Sequence, residues 1–154
     1  MSDGPTSQVR GTAAREAILA AAATLRREAS VADPALAGAP ITAILWATVE
    51  LERAERELGE ILGRPLEVET AARDPALGAA VRRARPFGQP PAPALLIVEP
   101  DTEGRLAALL ARHGEGIVGI EVEVGGRTRR LELTSAPGGP PPTAASDRPP
   151  SQPG

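Results

Sequence analysis

Apolar residues along this chain fall into short runs that turns separate, mostly between positions 40 and 134. Three continuous, β-branched runs have the pattern of buried strands, and two alternating runs have the pattern of half-exposed strands. The buried candidates are 41–49, 94–98 and 117–124, and the half-exposed candidates are 66–70 and 127–134. A further short strand is possible at 79–84. Gly125-Gly126 is expected to be the hairpin turn between the last two strands.

Helical spacing interrupts these runs in three places. Between 50 and 62 the apolar residues share one helical face, and Gly63 and Pro65 are expected to end that helix. A second helix is predicted over 102–112, with Asp101 as its cap. A third is predicted over 12–30, with Thr12 as its N-cap; its alanine-rich sequence carries a narrow apolar stripe that includes Ile18 and Ala22.

The order of these elements predicts an α+β fold with four segments. Residues 1–11 are interpreted as a flexible arm and 12–30 as the N-terminal helix. Residues 40–134 are predicted to form one α/β domain. Residues 135–154 are rich in proline and glycine and lack apolar anchors, so they are predicted to be disordered.

Composition narrows the possible functions. All 17 basic residues are arginine and the net charge is -3, so nucleic acid is not an expected partner. Trp46 and Phe87 are the only aromatic residues, which leaves little for base stacking. The chain has no cysteine, no apolar run of membrane-spanning length and no signal-peptide pattern in its first residues. We therefore expect a cytoplasmic protein without a membrane partner.

The stretch from about Pro40 to Val124 resembles the vicinal-oxygen-chelate (VOC) superfamily, which has the glyoxalase and bleomycin-resistance fold; the opening strand and helix, 41–63, match it in pattern only. The resemblance is carried by Val98-Glu99-Pro100, by 105–107 and above all by the turn at 111–117, Ala-Arg-His-Gly-Glu-Gly-Ile. It is closest to methylmalonyl-CoA epimerases and glyoxalase-like proteins. It implies a βαβββ module, here a single one with an extra N-terminal helix, followed by only the opening hairpin of a second.

The resemblance also implies where a divalent metal would bind. The family's ligand positions correspond to Ala43, Ala94 and Gly119, and the fourth ligand has no counterpart in this sequence. None of these residues has a side-chain donor, whereas a divalent ion needs several converging oxygen or nitrogen atoms. We expect no metal and no cofactor.

Strand alternation assigns the side chains that would face the family's cup. The expected ligand-binding residues are Leu45, Ala47, Leu96, Val98, Glu121 and Glu123. The opposite set, which includes Ile44, Trp46 and Ile120, is expected to pack under the helices. Glu121 and Glu123 are also candidates for acid-base chemistry, although alternating Glu and Val is equally typical of an ordinary exposed strand face.

The sequence allows two roles for His113 and two roles for a group of three arginines. His113 is a candidate proton shuttle, but its place at a helix C-terminus favours an interaction with the helix dipole. The arginines at 82, 83 and 85 can bind a phosphate or carboxylate, or they can form a solvated strand edge. No residue is assigned a catalytic role with certainty, and whether the protein is an enzyme stays open.

These observations favour a metal-free, non-catalytic VOC-like protein that binds a small apolar or amphipathic molecule or acts as an assembly partner. The first alternative is an active glyoxalase- or epimerase-like lyase or isomerase that uses Glu121, Glu123 and His113. The second is a structural dimerisation module. A homodimer is expected, because one module leaves an open sheet and the stripe of the N-terminal helix has no obvious cover.

Overall fold

A computed structural model describes residues 5–133 of the chain, with side chains from residue 9 onward. The helices of this part are α1 (Pro5–Ala32), α2 (Leu51–Leu62) and α3 (Arg105–His113), with a short 3-10 helix at Pro34–Leu36. The strands are β1 (Ile41–Ala47), β2 (Val68–Asp74), β3 (Ala79–Ala84), β4 (Ala94–Pro100), β5 (Gly116–Val124) and β6 (Arg127–Glu132). The predicted disordered tail lies outside the described residues.

The six strands form one sheet in the order β2-β3-β4-β1-β5-β6. β1 and β4 are parallel, and every other neighbouring pair is antiparallel. The run β1-α2-β2-β3-β4 is the predicted βαβββ module, and the possible strand at 79–84 is its β3. The predicted α+β class is therefore confirmed, including the extra N-terminal helix.

Alternation along the central strands separates two apolar layers. Ala43, Leu45 and Ala47 of β1 lie opposite Ala94, Leu96 and Val98 of β4, and these six residues belong to one buried cluster. We call their side of the sheet the cup face. Ile44, Ile97 and Ile120 belong to the cluster on the other side, the helix face. The two faces are therefore those that strand alternation predicted.

The N-terminal helix covers the helix face of its own sheet. Ile18 and Ala22 are only 8% and 1% exposed and pack in the cluster that contains the buried residues of α2. The helix begins at Pro5 rather than at Thr12, so Thr12 is an interior residue instead of the N-cap. Proline is compatible with a first turn because the N–H that it lacks has no helical partner there. None of the helices within residues 5–133 is long and apolar enough to cross a bilayer.

Asp101 does not cap the helix that follows it. α3 begins later, at Arg105, with Gly104 at its N-cap. The backbone N–H of Asp101 instead donates to the carbonyl oxygen of Gly78 at 2.8 Å, and its carboxylate accepts a 2.9 Å hydrogen bond from Arg73. The Arg73 hydrogen bond lowers the pKa of the Asp101 carboxyl below its usual value. Asp101 thus links the end of β4 to the β2–β3 hairpin through hydrogen bonds.

Two carboxylates that are distant in sequence complete the start of α2. Glu50 at its N-cap makes no capping bond, and the N–H of Leu51 donates instead to Glu99 at 3.0 Å. Glu115 accepts hydrogen bonds from the hydroxyl of buried Thr48 and from the N–H of Val49, both at 2.9 Å. These bonds satisfy donors that a helix start would otherwise leave unpaired.

Candidate functional site

An open pocket of about 310 Å³ lies on the cup face, close to the lower limit for small-molecule pockets. We call it the cup pocket. Leu96 of β4 and Val81 of β3 supply apolar surface, and Arg83 and Glu121 supply charge. Residues of the β2 strand and its turn form the remaining side: Thr70, Ala72, Arg73, Asp74 and Pro75.

The strand registers explain why these side chains converge. Arg83 lies opposite Thr70 on one side and opposite Leu96 on the other, and Val81 lies opposite Ala72. Directly opposed residues in adjacent strands point to the same face of a sheet. Alternation along β3 therefore places Arg83 on the cup face and sends Arg82 to the helix face.

Curvature of the sheet brings a residue of the far edge close to the cup pocket. Arg130 belongs to β6 and Asp74 to β2, at opposite edges of the sheet. In a flat six-stranded sheet these edge strands would be about 24 Å apart. However, the Arg130 Nη2 atom lies 3.9 Å from Asp74 Oδ2 and 2.6 Å from Glu121 Oε2. The sheet therefore curls until side chains from both edges meet over the cup face.

The three arginines at 82, 83 and 85 have different environments. Arg82 forms a 2.5 Å ion pair with Glu55 of α2, and Arg85 forms a 3.1 Å ion pair with Glu69. No carboxylate within residues 9–133 pairs with Arg83, which is half-buried and lines the cup pocket. The sequence left open whether these arginines bind an anion. Arg82 and Arg85 are already paired with carboxylates, so of the three only Arg83 is placed to bind one.

The other charges around the cup pocket largely neutralise each other. Arg130 donates two hydrogen bonds to Glu121 Oε2, from Nε at 3.2 Å and from Nη2 at 2.6 Å. Asp74 uses Oδ1 to accept from the N–H groups of Ala76 and Leu77 in the β2–β3 turn. The positive charge of Arg83 is therefore the one left without a close counterion among the lining residues.

The predicted site residues divide into three groups. Leu96 and Glu121 line the cup pocket. Leu45, Ala47 and Val98 lie on the expected face but are fully buried, in the cluster to which α3 contributes Leu106 and Leu109. Glu123 is exposed, and neither Glu123 nor His113 lines the cup pocket.

Sequence reasoning missed both the cover that α3 gives to the cup face and the role of Arg130. The spacing of Leu106 and Leu109 predicts an apolar helical face, but it does not say which side of the sheet that face covers. Arg130 has no local sequence signal, because its carboxylate partners lie on β5 and on the distant β2. Thr70, Ala72 and Val81 were missed because the strand predicted at 66–70 extends instead over Val68–Asp74, and the strand at 79–84 was predicted only as a possibility.

The side chains at the family's metal positions do not fit a metal ion. Ala43 and Ala94 have no donor atom and are buried in the cup-face cluster. A Cβ added at Gly119 would lie 2.7 Å from the carbonyl oxygen of Leu131, so the backbone of β6 already occupies the space of a ligand side chain. No group of three or more histidine or acidic residues within the described chain could hold a metal.

A larger open groove of about 640 Å³ follows α2 and the turn after it. It is lined mainly by charged side chains, among them Glu52, Arg56 and Glu60. We favour the cup pocket as the functional site because its cation without a counterion, Arg83, is half-buried, whereas Arg56 and Arg64 of the groove are exposed.

No protein-family model matches the chain, and no curated protein matches it. Similar solved structures include methylmalonyl-CoA epimerase from Mycobacterium tuberculosis, with 19% identity over 55% of each chain and a TM-score of 0.48. A methylmalonyl-CoA epimerase in complex with methylmalonyl-CoA and NH4+ has 21% identity over 53% of this chain and 58% of that chain, with a TM-score of 0.46. Hypothetical protein BH1468 from Bacillus halodurans C-125 has 18% identity over 52% and 54%, with a TM-score of 0.43.

This chain thus spans little more than half the length of each of these proteins. Its own topology, one βαβββ module followed by a helix and a hairpin, is the arrangement that the resemblance to the VOC superfamily implied.

Proposed function

We propose that this protein binds a small amphipathic anion in the cup pocket and does not catalyse a reaction on it. The observation that carries the proposal is Arg83, a half-buried guanidinium in the cup pocket that has no carboxylate partner within residues 9–133. A carboxylate or phosphate can accept two parallel hydrogen bonds from such a group. The ligand would supply the missing negative charge.

The surroundings of Arg83 favour an apolar body on that anion. Leu96 and Val81 lie on the same face of neighbouring strands and offer apolar surface beside the guanidinium. The volume of about 310 Å³ limits the ligand to a small molecule. Glu121 does not repel an anion strongly, because Arg130 is bound to it at 2.6 Å.

The positions of the acid-base candidates support a binding role. A general base must reach the proton that it removes and must be available to accept it. Glu121 Oε2 already accepts two hydrogen bonds from Arg130, whereas Glu123 and His113 lie outside the cup pocket. A cytoplasmic location is part of the same proposal, and cell fractionation tests it.

The test is a calorimetric titration with octanoate, alongside octanol and octylamine as probes of equal chain length. We expect binding of octanoate only, and a loss of at least about tenfold in affinity for Arg83→Gln. Arg127→Gln is the matched control, because it removes the same charge from an exposed position outside the cup pocket. Equal binding of octanol, or an unchanged affinity for Arg83→Gln, would contradict the proposal.

A purely structural role is the second candidate, and one observation favours it. Leu106 and Leu109 of α3 belong to the cluster that buries Leu45, Ala47 and Val98, so the protein fills part of its own cup face. If none of the three probes binds at millimolar concentration, the structural role is favoured over small-molecule binding.

A further inference from the structure

One edge of the sheet is open along a whole strand. β2 has a neighbour on one side only, β3, and six of its seven residues are exposed; Asp74 is half-buried. An edge strand presents a row of backbone N–H and C=O groups that can pair with another strand. β2 contains no proline, which would remove a donor from that row.

The charges of β2 are complementary to themselves in one antiparallel register. If Ala71 of one copy lies opposite Ala71 of a second copy, Arg73 lies opposite Glu69 of that copy, and the same contact recurs on the other side of the two-fold axis. The pairing of β2 with β3 shifts register between Val68 and Thr70, so the partly exposed side chain of Glu69 reaches Arg73 from this irregularity. Opposite charges that face each other across two strands stabilise the pair. Moving the axis by half a residue in either direction places Glu69 or Glu67 opposite Asp74, so the neighbouring registers bring like charges together.

The other edge of the sheet is less suited to this contact. β6 carries Arg127, Arg129 and Arg130 within its six residues. Antiparallel pairing centred on Arg129 places two arginines opposite each other, which opposes association. A shifted register places Arg129 opposite Glu132, but Glu132 is only 13% exposed and already accepts two hydrogen bonds from Arg105. Self-pairing through β2 is therefore favoured over self-pairing through β6, and a two-fold contact closes the assembly at two copies.

We propose that two copies of this chain associate through β2, in antiparallel register about Ala71, to form one sheet that runs through both copies. The partner is a second copy rather than a foreign strand, because β2 supplies both charges of each cross-strand pair. The N-terminal helix is not needed for this contact, since its apolar stripe is buried within one chain. Thr70 and Ala72, which line the cup pocket, lie next to this contact between the two copies.

The test is sedimentation equilibrium of the full chain between about 1 and 200 µM. We expect a mass of twice the 15.8 kDa of one chain at the upper concentrations. Arg73→Glu alone and Glu69→Arg alone should each weaken association by about tenfold, because each places like charges opposite each other at both contacts. The double variant Arg73→Glu/Glu69→Arg restores opposite charges and should recover the dimer.

The double variant also distinguishes the contact between the two copies from the ion pairs within one chain. Arg73 pairs with Asp101 and Glu69 pairs with Arg85 within one chain, and those internal contacts stay disrupted in the double variant. Recovery of the dimer therefore reports on the contact between copies. Arg127→Glu on β6 is the control and should leave the mass unchanged. A monomer at every concentration, a mass above two copies, a dimer that Arg73→Glu does not weaken, or a double variant without recovery would each overturn the proposal.

Discussion

The carboxylate of Asp74 and the guanidinium of Arg130 lie 3.9 Å apart, although they belong to the first and last strands of the sheet. Both groups are partly exposed, with side-chain exposures of 36% and 26%. Such a long, solvated pair contributes little stability by itself. Its importance is geometric, because it shows that Arg130 lies over the cup face between two carboxylates and is bound more closely to Glu121.

The first prediction concerns this arrangement. Glu121→Gln removes the nearer partner of Arg130 and leaves the Arg130 guanidinium without that partner beside the cup pocket. We therefore expect octanoate to bind several-fold more tightly to this variant than to the wild type, as measured by calorimetric titration.

Arg130→Gln should have the opposite effect, because it leaves the Glu121 carboxylate unpaired in the cup pocket, where it repels an anion. Glu123→Gln is the matched control for the loss of a carboxylate, since Glu123 is on the same strand but outside the cup pocket. Weaker binding to Glu121→Gln would show that its carboxylate helps to hold the ligand.

Local patterns were sufficient to predict the central elements. Alternation along β1 and β4 separates Leu45 and Leu96 from Ile44 and Ile97, because each face of these strands is buried against a different layer. Trp46 lies on the predicted helix-facing side and packs against that cluster, but it is half-buried rather than fully covered. Strand alternation determines the face of the sheet to which a side chain points, whereas its degree of burial depends on how far the helices extend over the strand.

The cup pocket depends on contacts that no local pattern encodes. Asp101 precedes a helix and has the chemistry of a cap, but Arg73 from the β2–β3 hairpin binds its carboxylate. Arg130 reaches the cup pocket only because the sheet curls, and the curl results from strand twist accumulated over the whole sheet. The arginines at 82, 83 and 85 looked equivalent in sequence, and only the positions of Glu55 and Glu69 distinguish them.

The second prediction tests the close approach of β6 to β5. Gly119→Ala adds a Cβ 2.7 Å from the carbonyl oxygen of Leu131, so the two strands must move apart. We expect the free energy of unfolding to fall by about 1–3 kcal/mol in urea denaturation. Gly119→His should destabilise the protein at least as much and should not create a metal site.

Glu123→Ala on the same strand is the control, and as an exposed substitution it should change stability by less than about 0.5 kcal/mol. A Gly119→Ala protein as stable as the wild type would show that β6 can retreat without cost.

The third prediction tests whether α3 is part of the core of the cup face. Leu106 is 2% exposed and packs with Leu45 and Val98 in one cluster. Leu106→Ala should lower the free energy of unfolding by about 2–5 kcal/mol, because it removes buried apolar contacts and leaves a cavity. Leu110→Ala, on the same helix but half-buried, should cost clearly less in the same urea denaturation. Equal effects of the two variants would contradict the placement of α3.

The last prediction concerns pH. Glu115 Oε2 accepts hydrogen bonds from the hydroxyl of Thr48, the N–H of Val49 and the guanidinium of Arg53, the last at 2.5 Å. Burial raises the pKa of the Glu115 carboxyl, but these hydrogen bonds and the charge of Arg53 outweigh it, so the pKa lies below its ordinary value of 4.5. Between the folded and unfolded pKa values, the unfolded chain binds more protons at this position than the folded chain does.

Stability from Glu115 is therefore fully present above about pH 4.5 and is lost as the pH falls through the lowered folded pKa. Glu115→Gln keeps the size of the side chain but removes its charge, so it should be clearly less stable than the wild type at pH 7. The difference should shrink at pH 3, because this pH lies below the ordinary carboxyl pKa of 4.5 and the stabilisation is lost on approach to the lowered folded pKa. Urea denaturation followed by Trp46 fluorescence measures both differences, and Glu123→Gln, at an exposed position, should show little difference at either pH. If Glu115→Gln is less stable than the wild type by the same amount at pH 7 and at pH 3, packing rather than charge explains the contribution of this residue.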